Sequence, residues 1–205
     1  MHLLEKVVNL KTLQLKQSSQ GFYEIKGSKF LSYLVLDIEF VSTLASLKTQ
    51  HSKAVHFVTA SRILQEQLVE SFSDDGEPKG SSGMPTLNVL RGENLVNVGV
   101  ITVRYFGGTL LGVGGLVRAY TQAVQSAIKN AKTQNLLIPY EKKLQWKIEV
   151  SYSLLNQIIY LAQSSEVEVI EKEFLMQGVK ITLSSNLASK EEFENLCANE
   201  AIFLC

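Results

Sequence analysis

Apolar and polar residues alternate with period two across Thr12-Leu13-Gln14-Leu15-Lys16 and again across Phe22-Tyr23-Glu24-Ile25-Lys26, and a Lys26-Gly27-Ser28 turn leads into Phe30 to Leu36. That period predicts strands, arranged as an opening meander. From Glu39 to Gln50 the period lengthens and puts Phe40, Leu44 and Leu47 on one face, which predicts a helix. Ala54 to Ala60 reads as the next strand, with Leu68 to Phe72 its expected partner. The Ser61 to Gln67 connection holds helix formers where a hairpin favours Gly or Asn, so the pattern leaves its shape open. Pro85 suits a first helical turn, and a short helix to Leu90 closed by Gly92 precedes a strand from Val96 to Tyr105. Leu116, Tyr120, Ala123, Val124, Ala127 and Ile128 then form the buried stripe of a long amphipathic helix.

Gln134 to Lys143, with Pro139 inside it, reads as a linker that divides the chain into domains 1–135 and 140–205. Beyond it, Leu144 to Ser151 predicts a strand, Leu154 to Ala162 a helix, and Val167 to Phe174 and Val179 to Ser184 two strands about a Gln177-Gly178 turn. Ser189 to Ala198 predicts a helix whose Ser189 and Glu192 make a capping box, and Ile202-Phe203-Leu204 a last strand. That succession is the ferredoxin-like order, and the mixture of elements predicts an α+β fold.

Two stretches carry chemistry. In Val103 to Tyr120 a strand runs through Gly107, Gly108, Gly112, Gly114 and Gly115 into the long helix, with no Ser, Thr, Asp or Asn placed to cap it. Free N–H groups at the positive end of a helix dipole attract phosphate or carboxylate, although the same glycines would equally serve a tight turn. No Gly-Lys-Ser/Thr follows, and the spacing is not G-x-G-x-x-G, so nucleotide hydrolysis has no support. Arg104 and Arg118 flank the loop and could clamp a phosphate, or Arg104 could pair with nearby carboxylates. Tyr105 and Phe106 could stack on a base or belong to the core.

The second stretch is the polar loop from Ser71 to Pro85, carrying Asp74, Asp75, Glu77 and Lys79. Its three carboxylates could hold a divalent metal or work with His56, or could serve turn geometry alone. No Ser-His-Asp arrangement is visible, and neither Cys197 nor Cys205 has a histidine near it in sequence.

Charge changes the picture modestly. Residues 1–137 carry 14 Lys+Arg against 10 Asp+Glu, and residues 138–205 carry 6 against 10, so the N-terminal part is the better match for a polyanion. Both cysteines lie near the C-terminus and could close only a tiny loop, which points to a reducing cytosol. Glu5, Lys6, Lys11 and Lys16 interrupt any signal-peptide core and no apolar run reaches membrane length, so a cytoplasmic protein without a membrane partner is expected.

FSDDGEP at 72–78, then Gly80, Gly83 and Pro85, then VRYFGGTLLGVGGLVRAY at 103–120, resembles the YigZ/IMPACT family. Gly27-Ser28-Lys29-Phe30 and His56 extend the likeness over the chain. Ser82 stands where the family often has Ala, and His56-Phe57-Val58 where it commonly has a polar or aromatic run, which weakens that strand as a source of several polar ligands.

The resemblance implies an N-terminal β-α domain like the fourth domain of elongation factor G and a small-subunit ribosomal protein, with a ferredoxin-like C-terminal domain resembling the factor's fifth. It also implies a role in translation: eukaryotic relatives regulate it by binding a protein partner of a stress-response kinase, and bacterial members are linked to nucleic acid or ribosomes. Three readings follow. The first is a non-enzymatic protein whose N-terminal cleft takes RNA or ribosomal phosphates. The second is a metal-dependent hydrolase of a phosphorylated small molecule, and the third a protein-interaction module without an anion site.

Overall fold

Five of the predicted strands pair into an antiparallel sheet built from β2 (Ser19–Ile25), β3 (Ser28–Leu36), β4 (His56–Leu64), β5 (Leu68–Ser73) and β6 (Val98–Tyr105), in the spatial order β2-β3-β6-β4-β5. The computed structural model describes residues 12–200 and divides into two compact units, Met1–Tyr140 and Glu141–Cys205. The fold is α+β in both.

In the first unit β6 is central and buried on both sides, as a strand covered by helices on each face must be. Ile101 and Val103 pack with α1 (Phe40–Gln50) on one face, and Gly99 lies so close under Phe40 that a Cβ there would fall 2.2 Å from the ring. Val98 and Val100 point the other way, into the core under α2 (Gly83–Gly92) and α3 (Gly112–Thr133).

The predicted stripe of α3 is buried and extends to Ala119 and Ala131. Four alanines at i+4 spacing keep this face thin, and Gly21 of β2 fits against it: a Cβ on Gly21 would lie 2.1 Å from the Ala127 nitrogen. The Ser19 hydroxyl donates to the Ala127 carbonyl at 3.0 Å, and the Asn130 amide to Gln20 O at 2.8 Å.

The structure departs from the sequence pattern in several places. Leu13–Leu15 (β1) is a strand but not a member of the meander: it pairs antiparallel with Leu137–Pro139 (β7), inside the stretch read as a linker. Period two identifies a strand without naming its partner, and here Leu15 docks into the core with Leu90 and Leu95. The Ser61 to Gln67 connection is a plain hairpin, with Leu64 opposite Leu68 and a turn at residues 65–67. Strand pairing overrides the local helix preference there.

In the second unit β8 (Leu144–Val150), β9 (Glu168–Phe174) and β10 (Val179–Ser185) form an antiparallel sheet in the order β8-β10-β9, covered by α4 (Leu155–Ser164) and α5 (Leu187–Asn199). Ile148, Ile158, Ile181, Leu183 and Phe193 fill its core. The expected capping box is replaced: Asn186 stands in extended backbone before α5 and its side-chain oxygen accepts from the Ser189 N–H at 2.8 Å. Ser189 is thus inside the helix, and the earlier residue takes the cap. The Ile202-Phe203-Leu204 strand, Cys205 and the Glu5 to Lys11 charges lie outside the described residues.

Candidate functional site

Antiparallel register brings Phe30 of β3, Arg104 of β6 and His56 of β4 side by side across the sheet. All three face α3, and the Ser73 to Ser82 loop closes over them. Glu77 from that loop reaches into the centre. Its Oε1 accepts from Arg104 at 2.5 Å and from the Tyr120 hydroxyl of α3 at 2.7 Å, and its Oε2 stands 3.9 Å from His56 Nε2. Glu77, Arg104 and Tyr120 are buried.

Burial, followed by the negative charge of Glu77 and the hydrogen bond to it, pushes the Tyr120 hydroxyl far above the usual tyrosine range, so it stays a neutral donor. The Arg104 guanidinium lies over the Phe30 ring, 5.5 Å from its centroid, and 5.7 Å from that of Phe106. Its Nε is buried without a hydrogen-bond partner.

Each of the other loop carboxylates is committed elsewhere. Asp74 Oδ1 accepts from the Ser82 N–H, the Ser82 hydroxyl and the Gly83 N–H, while Oδ2 accepts from Gly80 N–H at 2.8 Å. It is the N-terminal cap of α2, supplied from outside the helix. Partial burial raises its pKa, but these donors outweigh that and hold it below the ordinary value. Asp75 adopts a left-handed backbone (φ 46°) that aims its carboxylate at the Phe57 N–H, 2.6 Å away. Its carbonyl accepts the His56 Nδ1–H at 2.7 Å. Asp74, Asp75 and Glu77 therefore do not converge, and no cluster of three or more His, Cys, Asp or Glu suited to a metal occurs among the described residues. Lys79 is exposed at the loop surface.

The glycine loop grows from the same end of β6. Gly107 is pinned to the β2–β3 turn: its N–H donates to Ser28 Oγ at 3.0 Å, and a Cβ there would lie 2.0 Å from the Gly27 carbonyl carbon. Gly108 (φ 84°) and Gly112 (φ 71°) take conformations that favour glycine, and open space surrounds both. Gly114 is also open, and Gly115 packs against Leu111. No side chain caps α3, so the N–H groups of its first turn are left for solvent or a ligand. Arg118 is exposed one turn in and donates from Nε to Gly114 O at 3.2 Å. Lys26 and Lys29 are exposed on the adjoining hairpin.

The two flanking arginines consequently play different parts. Arg118 is open, whereas Arg104 is spent on Glu77 beneath the loop and is no arm of a clamp. Tyr105 also falls away from the glycine loop, because neighbouring strand residues face opposite sides. Its hydroxyl meets His51 Nδ1 at 2.8 Å, and His51 Nε2 meets the Tyr33 hydroxyl at 3.1 Å, on the α1 face. Phe106, next in line, is the exposed aromatic. Sequence reasoning missed Tyr120 as a site residue; the signal was a hydroxyl within an apolar stripe, which when buried needs a partner.

The Impact N-terminal domain matches residues 26–128, the span that builds this cluster and both loops. An IMPACT family member of Haemophilus influenzae is 37% identical over 156 residues, covering 74% of each chain. YigZ, the IMPACT family member of Escherichia coli, is 34% identical over 158 residues, again 74% of each. The chain belongs to the IMPACT family. A solved crystal structure of a protein described as hypothetical covers 95% of both chains with a TM-score of 0.76 at 27% identity. Among the described residues no helix is long and apolar enough to cross a membrane.

Proposed function

We propose that this protein is a translation-associated, non-enzymatic binding protein that takes RNA or ribosomal phosphates at the mouth of α3. The observation that carries the reading is an uncapped helix N-terminus behind open glycines, with exposed Arg118, Lys26 and Lys29 around it. Main-chain N–H groups and the helix dipole favour a phosphate there, and the cations add sequence-independent attraction. In this reading Glu77, Arg104, Tyr120 and His56 form the floor that holds the loop and the helix in register. The expected likeness of the two units to the fourth and fifth domains of elongation factor G, a factor that works on the ribosome, is part of the same proposal.

A salt titration of RNA and small-subunit affinity tests it. Binding should weaken as salt rises, and Arg118→Ala should lower the slope of log K against log salt by about 1. Association that ignores both salt and the substitution would sink the reading. Leu110 and Val113, both largely exposed in the same loop, favour protein docking as the second reading. Capture of a partner that survives nuclease treatment separates it from the first.

A further inference from the structure

Phe106 follows the last residue of β6 and precedes the Gly107 anchor. Its backbone is held on one side by β6 and on the other by the Gly107 anchor to Ser28. The residue is 46% exposed, with the Arg104 guanidinium 5.7 Å from its ring centroid. That guanidinium also lies 5.5 Å from the Phe30 centroid, and it keeps a buried Nε–H without a partner. Open space adjoins Gly108 and Gly112 in the same loop, and the free N–H groups of α3 follow within a few residues. A half-exposed ring beside open glycines and an uncapped helix N-terminus offers a base a stacking face and its phosphate main-chain donors, the combination that single-strand binders use.

We propose that Phe106 is a stacking platform for an unpaired base, so that the site selects single-stranded over duplex RNA; this rests on the RNA-binding reading above. In a duplex the base faces are already stacked and exposing one carries an unstacking cost, so a duplex offers this site only its phosphates.

The test is fluorescence anisotropy of the full chain at low salt with three labelled probes of equal length: an oligouridylate, the same backbone with abasic positions, and a duplex. Base stacking should make the oligouridylate bind roughly five- to 150-fold tighter than the abasic strand. Phe106→Ala should remove that advantage and leave duplex affinity unchanged, while Phe106→Tyr keeps it. The abasic comparison needs no variant, so it stands even where Phe106→Ala misfolds. Equal affinity for oligouridylate and abasic strand, or a folded Phe106→Ala that binds oligouridylate as wild type does, overturns the platform and leaves phosphate binding intact. Failure of the wild type to bind any of the three overturns both.

Discussion

Replacing Glu77 by Gln keeps the side chain's shape and removes its charge. The Arg104 guanidinium then remains in a site where its side chain is 7% exposed and that of its former partner 2%. Breaking a buried pair from one side leaves an uncompensated charge and costs about 3–5 kcal/mol. For a chain of this length that corresponds to a fall in Tm on the order of 10 °C. Trp146, the single tryptophan, sits in the C-terminal unit, so its fluorescence is blind to the affected region. Far-UV circular dichroism during urea unfolding is the appropriate assay, since among the described residues the N-terminal unit carries the five-stranded sheet and three α-helices. A second variant isolates the cause. Glu77→Leu combined with Arg104→Met replaces the pair by apolar groups of similar volume and should regain part of the loss, the Tyr120 hydroxyl being left without its acceptor. Two results would refute the reasoning: a Glu77→Gln midpoint within about 0.5 kcal/mol of wild type, or a double variant as unstable as the single one.

Tyr120→Phe removes one hydrogen bond to the same carboxylate and should cost about 1.5–3 kcal/mol in the same urea assay. Asp74→Asn should weaken the α2 cap by about 1 kcal/mol at neutral pH. Because the folded protein holds the Asp74 pKa below its unfolded value, its contribution is present above roughly pH 4 and fades as pH falls through the lowered value; acid titration of stability should therefore be flatter below pH 4 in the variant. Gly107→Ala drives a methyl into the Gly27–Ser28 backbone and should destabilise by about 1–3 kcal/mol or more, whereas Gly114→Ala enters open space in a helix and should stabilise by up to about 1 kcal/mol in thermal unfolding.

The long helix was legible because eight buried positions repeat at helical spacing, and the acidic and glycine loops stood out through their residue types. What periodicity does not carry is partnership. Glu77 meets residues 27 and 43 positions away, and nothing local marks it apart from Asp74 and Asp75, which do different work. Alternation along β6 did contain the split between Arg104 and Tyr105, yet proximity in sequence grouped them. The β1–β7 pairing was hidden for a related reason: a three-residue strand announces itself weakly, and its partner lies at the far end of the domain.

That clasp shapes how the N-terminal unit is made. Leu13 bridges Leu95 in parallel, but its antiparallel partner Pro139 comes only at the end of the unit, where the Tyr140 N–H closes the ladder onto Thr12 O. On a growing chain, that antiparallel ladder therefore waits for nearly the whole unit to be synthesised. Contacts between such distant positions slow folding, because loop closure precedes any gain from pairing. Severing the clasp, for example by trimming the chain through Leu15, should leave the five-stranded sheet assembled early and its last seam open.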